Sequence, residues 1–463
     1  MSNSSPLIIS RPQLIQIFLV CTAVILATFL RAGLIIVYPF FVLMFCYTLN
    51  FRLSVGLTIL TLSSLILLPL SFIVNDQPFL FNTILSIYII YPVLFLYLSH
   101  HSRMHKRIEI HSLDRRFIKY LTIIMFFNNL IGFVQYLILR HDDAFTGLFS
   151  SHGIGAHGMG IINGILFIHY FILFKSHPRW GLLFLMLFFL FSFVMSFFGL
   201  ALVLLLASLV VYYLIFQLSL GNAFKFAALA IVALGVLFIT SSKTFTYNYN
   251  ILDNTTEMLN ERDFSTSSEM PRKITVFYNY KEVFGDDIKL LLFGTGPGTF
   301  NSRSSFLLNG DYSDNFLVKT LGANEPAYAV ENAYSLWNQH ILSIQFNDGT
   351  RNQPFSSVLA FLAEYGLVFS IILFILIFRK LTLVANRMKR AAQDCEDTIE
   401  KNRFMLNHEF ILVVGIFIML LLISNNLMEH TEILIFVIII KLMEMTIPHQ
   451  EVVSPPTSIY VKK

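Results

Sequence analysis

Arg272, Arg303 and Arg351, together with the alternating glycines of Gly294-Thr-Gly-Pro-Gly-Thr-Phe300, are the residues whose types and spacing suit chemistry on a phosphate-bearing group. Guanidinium groups are planar, permanently charged donors that match phosphate oxygens and stabilise a departing anion. Glycines at 294, 296 and 298 let a backbone approach a ligand closely and adopt φ above zero, as in many anion cradles. No Lys-Ser or Lys-Thr follows, so the run is not a P-loop, and it opens no Rossmann unit. Two plainer readings stand beside this one: a tight structural turn for the glycines, and surface pairing with carboxylates for each arginine.

These residues share one polar stretch of about 113 residues between Thr240 and Pro354, in a chain otherwise made of apolar spans; a connection of that length is functional or disordered. Tryptophan, many tyrosines and the glycine turn predict a folded unit. The chain has 463 residues, 56% hydrophobic and only 13% charged, with 48 Phe. No soluble core hides so much apolar surface, so the class is a helical membrane protein, and the alternating pattern of an outer-membrane barrel does not occur. Apolar runs fall at 12–30, 33–49, 53–74, 79–99, 117–139, 156–174, 181–197, 200–217, 222–240, 355–378, 409–425 and 431–447. The fold class expected is an all-α polytopic membrane protein of about twelve transmembrane helices with one large outward-facing, partly helical loop domain. Residues 1–240 form the N-terminal membrane domain, 241–353 the loop domain, 354–447 the C-terminal helices with a connection at 380–405, and 448–463 a disordered tail. The first span reads as a retained helix rather than a cleaved signal peptide.

Lysine and arginine collect at Arg103, Lys106, Arg107, Arg115, Arg116 and Lys119, and again from Arg379 to Arg403, which places those connections in the cytoplasm. Both termini then lie inside, and the long loop faces outward. The net charge of +4 follows from these connections and implies no nucleic-acid partner. The connection 380–405 reads as solvated charge or as a helix on the anionic inner leaflet. Cys21, Cys46 and Cys395 suggest no disulfide framework. His152 and His157, five residues apart without cysteine or carboxylate companions, do not suggest a metal site, and neither metal nor cofactor is expected.

Within the loop, 270–293 reads as a helix with Pro271 in its first turn and Gly285 as its stop, followed by a short extended piece leading to the glycines. Arg272 opens that helix. Arg351 precedes span 355–378, at the membrane surface where a lipid diphosphate would sit, and Arg31 and Arg140 share that surface, either as ligands or as snorkelling helix-end residues.

Four stretches give the chain a family likeness. Ala144-Phe-Thr-Gly-Leu-Phe-Ser-Ser-His-Gly153, Phe193-Val-Met-Ser-Phe-Phe-Gly-Leu-Ala-Leu202, Arg272 with Leu292-Phe-Gly-Thr-Gly-Pro-Gly-Thr-Phe300, and Gln353-Pro-Phe-Ser-Ser-Val-Leu-Ala-Phe-Leu-Ala-Glu-Tyr-Gly366 follow one another over residues 144–380. In that order they resemble the O-antigen polymerase and O-antigen ligase superfamily of integral membrane glycosyltransferases. Ser196 is followed by Phe197 and Phe198, without the arginine of the family's Ser-Arg-Gly element, and Phe355 stands where the ligases carry a histidine. Polymerases vary more at that place, so polymerase is the reading taken, with ligase as the alternative.

The resemblance implies transfer of a growing glycan, on the outer face of a bacterial inner membrane, from undecaprenyl diphosphate to a hydroxyl of the next lipid-linked repeat unit. It implies membrane lipid, a chain-length regulator and a flippase as partners. Arg272, Arg351 and His340 are then the catalytic candidates, with Arg303, Gly294, Gly296, Gly298 and Arg140 binding substrate. Asp286, Asp287 and Glu364 compete with His340 for the task of base. A lipid-linked oligosaccharide transporter is the other class of function, but span centres nearly free of charge, His169 being an exception, argue against ion coupling.

Overall fold

A computed structural model describes residues 51–75, 79–101, 113–139, 144–149, 154–196, 199–216, 272–312, 314–343, 353–430 and 432–447, with isolated positions 42, 43, 46, 231 and 235. The predicted spans 12–30, 33–49 and 222–240 lie largely or wholly outside these residues, as do Arg31, Arg140, His152, Arg351, the stretch 241–271 and the tail 448–463.

The described chain is helical apart from a two-residue antiparallel pairing of Phe51–Arg52 with His100–His101. The first group of helices is α1 (Val55–Asn75), α2 (Leu80–Leu98), α3 (Leu113–Leu139), α4 (Ile154–Ser176), α5 (Trp180–Met195) and α6 (Gly199–Phe216). Pro69 and Pro92 sit inside α1 and α2, which membrane helices tolerate because neighbouring groups satisfy the backbone that is released. After the loop segment come α13 (Ser357–Ala360), a π-helical turn (Phe361–Tyr365), α14 (Gly366–Asp394), α15 (Thr398–Ser424) and α16 (Glu432–Met445). Among the described helices six are long and apolar enough to cross a membrane: α1, α2, α3, α4, the continuous rod Ser357–Asp394, and α15. The chain is thus an α-helical membrane protein by length and composition.

Helix α15 is a hub, packing on α14, α6, α4 and α13. Helix α16, only 14 residues long, is buried along nearly its whole surface, the signature of a helix apolar all round. The connection expected at 380–405 is helical on both sides of a short turn. With 29 and 27 residues, α14 and α15 run about 43 and 40 Å at 1.5 Å per residue, past the hydrocarbon, and turn at Cys395–Asp397. Asp397 caps α15 by accepting from the Ile399 amide.

The loop segment is folded, as its aromatic content predicted. It comprises α7 (Arg272–Gly285), α8 (Ile288–Phe293), α9 (Arg303–Leu307), α10 (Phe316–Leu321), α11 (Ala327–Asn332), a 3-10 turn (Tyr334–Leu336) and α12 (Gln339–Ser343). The predicted stop at Gly285 is where α7 ends, whereas the extended piece after it is the helix α8. Asp287 explains the difference: its carboxylate accepts from the Lys289 and Leu290 amides and caps a new helix. Two small apolar clusters hold the segment. One joins Val276, Phe284, Leu290 and Phe300 to Leu359 and Ala363; the other joins Phe306, Tyr334 and Trp337 to Phe355. The first cluster takes Leu359 and Ala363 from the start of the Ser357–Asp394 rod and the second takes Phe355, two residues ahead of it, so the segment is seated on the helix end.

Candidate functional site on the docking face

The site begins with a fault in a helix. Between Ala360 and Gly366 the chain makes a π turn, and Gly366 leaves it at φ 78°. Such turns free main-chain carbonyls and are frequent at functional sites. The glycine run of the loop segment answers those carbonyls: Thr295 donates its amide to Ala363 O at 2.8 Å and Gly296 to Glu364 O at 2.9 Å. Contact is backbone on backbone. A Cβ on Gly294 (φ 76°) would stand 2.5 Å from Glu364 O, and one on Gly366 would stand 2.4 Å from Leu292 O. Gly298 (φ 75°) approaches a different helix, where a Cβ would lie 2.6 Å from Asn82 O of α2. The Asn82 side chain completes that seat, donating to Gly298 O at 2.7 Å and accepting from Asn324.

The anion cradle expected from the glycines exists, and its anion is built into the protein. Glu364, fully buried, accepts the amides of Gly298, Phe300 and Ser302 at 2.6, 3.0 and 2.9 Å. The turning backbone of 297–302, entered through the positive φ of Gly298, brings the amides of 298, 300 and 302 onto one carboxylate. The amide of Gly294 closes α8 on Leu290 O. Gly294, Gly296 and Gly298, expected to bind substrate, therefore commit their amides to protein acceptors. A buried carboxylate and the carbonyls of a broken helix both require donors, and these amides are the nearest.

A second buried carboxylate lies just beyond. Glu429, in the turn between α15 and α16, accepts the amides of Arg303 and Ser304 and the Ser304 hydroxyl, the last at 2.6 Å. Burial pushes its carboxyl above the usual carboxylate range, opposed by the Ser304 hydroxyl and these amides. Arg303 Nη1 reaches Glu429 O at 3.4 Å. Around Glu429 the turn is polar and mostly buried. Asn425 O accepts from the Ser357 amide, Ser357 Oγ accepts from the Met428 amide, and His430 sits between Asn426 Oδ1 at 2.8 Å and Glu432 Oε2 at 3.5 Å.

Arg272 and Lys273 open α7 at this same junction. The Lys273 amine donates to Phe355 O at 3.0 Å and to Ser424 O, tying α7 to the starts and ends of two long helices. Burial pushes that amine down to about 7. Arg272 is half-buried, and its enclosed Nη1 has no hydrogen-bond partner among the described residues. Desolvation lowers its pKa below the ordinary guanidinium value.

The other expected residues fall differently. His340 is exposed on α12, at the outside of the cluster that holds Phe355. Asp287 is the α8 cap, and Asp286 is exposed. Glu364 is the clamp just described. Arg140 and Arg351 lie outside the described residues. Phe355, where a ligase histidine would stand, is packed 4.9 Å from the Phe306 ring and 6.0 Å from Trp337.

Sequence reasoning passed over Lys273 and Glu429. A signal for Glu429 was there: Ser424-Asn-Asn-Leu-Met-Glu-His-Thr-Glu432 places several polar groups between two apolar runs, and ionisable residues at such depth mark function or structure at high cost. No family model and no curated protein matches the chain.

Proposed function

We propose that this chain is an integral membrane glycosyltransferase that polymerises oligosaccharide repeat units carried on a polyprenyl diphosphate, with the docking face on the outer side of a bacterial inner membrane. The observation that carries the reading is the cationic head of α7. Arg272 holds an enclosed Nη1, without a partner among the described residues, beside Lys273 at the junction of a folded polar segment and membrane-spanning helices. A diphosphate borne on a lipid tail meets the protein at such a junction, and an unpaired guanidinium nitrogen is the group that gains most from phosphate oxygens.

In the reaction the bond between the anomeric carbon and the diphosphate oxygen breaks, with the electron pair leaving on the diphosphate. A new bond forms from that carbon to the acceptor hydroxyl oxygen, whose proton passes to a base. Arg272, with Arg351 from the adjoining stretch, offsets the charge on the leaving group. Glu364 and Glu429 hold the backbone from Gly298 into the start of α9, so their part is positioning. His340, exposed on the segment's surface, is the residue left for the proton. The packed Phe355 has no titratable group at the place of the ligase histidine, which favours polymerase over ligase.

The test is product-ladder formation by the purified chain given a diphosphate-linked repeat. Arg272→Ala and Arg351→Ala should each slow transfer on the order of a hundredfold, and Arg272→Lys should recover part, since a point charge lacks the bidentate fork. Ladders of normal length and rate from both alanine variants, at normal membrane level, would overturn the reading. Alkaline phosphatase fused after Asn309 should be active and after Lys389 inactive; the reverse would put the arginines on the wrong side for this substrate.

A further inference from the structure

At the end of the bundle opposite the docking face, α4, α6, α14 and α15 enclose a cavity of about 380 Å³. Its lining mixes charged and polar groups, Lys175, Lys389, Asn402 and Glu409, with the apolar Ile172, Phe216, Met405 and Leu406. Phe216 and Met405 are 52% and 44% exposed, so apolar side chains of the lining also reach the surface of the molecule.

The charges leave a defined remainder. Lys175 Nζ donates to Glu409 Oε1 at 2.7 Å and lies 5.1 Å over the Tyr213 ring, so that pair is locally neutral. The His408 ring nitrogen Nδ1 faces Ala385 O at 2.9 Å. Lys389 is exposed on α14 and supplies one positive charge in excess. A soluble phosphate ligand has no need of exposed apolar lining residues, and a neutral hydrocarbon has no need of two amines. A phosphodiester carrying one negative charge and acyl chains matches both kinds of lining residue.

We propose that this cavity holds the headgroup of an anionic phospholipid, its phosphodiester between Lys389 and the Lys175–Glu409 pair and its acyl chains leaving past Phe216 and Met405. Asn402 donates to the glycerol or phosphate oxygens. The site is independent of the glycosyl-transfer reading, because it involves neither Arg272 nor the docking face. Its position agrees with the excess of Lys and Arg at this end, which anionic leaflets attract.

Native mass spectrometry of the full chain in detergent, titrated with phosphatidylglycerol or phosphatidylcholine, tests it. One phosphatidylglycerol should be retained preferentially over phosphatidylcholine. Lys389→Gln should weaken that retention about fivefold, the worth of one basic residue at an anionic surface, while Lys389→Arg should retain it. Lys389 is exposed, so neither variant removes a packed group. Met405→Trp, which adds bulk to the apolar lining, should also displace the lipid. Equal retention of the two lipids, or unchanged retention in both Lys389→Gln and Met405→Trp, overturns the proposal. Competition by water-soluble glycerol phosphate as effective as by the lipid would overturn the lipid as its source.

Discussion

The two ends of the bundle both bury carboxylates, and they neutralise them by opposite means. At the docking face, Glu364 and Glu429 are met by five main-chain amides and one hydroxyl. At the other end Glu444 is met by side-chain cations, with Lys380 Nζ 2.5 Å from Oε1 and Lys441 Nζ 2.9 Å from Oε2, and with Arg387 and His100 more distant. An ion pair can be replaced as a unit, since both partners are side chains. A carboxylate held by backbone cannot, since its donors are present whatever the residue. The docking face is therefore the part of the molecule in which one wrong atom disorders a whole segment.

The largest effect that follows is at the glycines. Gly294→Val and Gly298→Val place side chains against Glu364 O and Asn82 O, at a φ that L residues rarely adopt, and should unseat the 272–343 segment, seen as loss of its hydrogen-exchange protection. Gly296→Ala meets only the Thr299 and Phe72 side chains at 3.7 and 3.8 Å and should cost about 1 kcal/mol, through its φ of 105° alone. Equal tolerance of all three would show that the backbone seat is not what holds the segment.

Next comes the carboxylate comparison itself. Glu364→Leu orphans three buried amides and should cost roughly 3 kcal/mol or more, with no second change able to restore it. Glu444→Gln alone should be comparably harmful, by about 3–5 kcal/mol, because it leaves buried lysines unpaired. The combined replacement Lys380→Met, Lys441→Met and Glu444→Leu should return to within about 2 kcal/mol of the parent. Thermal unfolding in detergent measures all three. Rescue of Glu364→Leu by an apolar neighbour would erase the distinction between the two ends.

The smallest effect is a pH dependence. Lys273 has its folded value near 7 and an unfolded value of 10.5, so the unfolded state binds more protons between them. Stability of the α7 attachment should therefore rise with pH from about 7 to 10.5 and be flat below. Lys273→Met should abolish the slope, as read by hydrogen exchange of α7. A slope that persists in this variant assigns it to another group.

Much of the architecture was legible because the signals for it are local. Apolar runs announce the helices, Pro271 and Gly285 bracket α7, and the glycine spacing marks a close backbone approach at 294–298. Asp287 was read as a candidate base when its position three residues before Leu290 makes it a cap, a competition between local roles that the residue type leaves open. Helix α16 was legible as an apolar run, but that it is a 14-residue helix buried all round rather than lipid-facing depends on what surrounds it.

By itself the sequence determined a helical membrane chain with a folded polar segment, because hydrophobicity and helix period belong to neighbouring residues and the side chains carry them. Tertiary structure alone decided that Glu364 fills the glycine cradle, that Glu429 caps Ser304 from 125 residues away, and that Lys273 ties α7 to two helix ends. The partners there are main-chain amides and carbonyls, identical at almost every position of the chain, so residue types cannot name them. Only the packing that brings a π turn against a glycine run selects which amides they are.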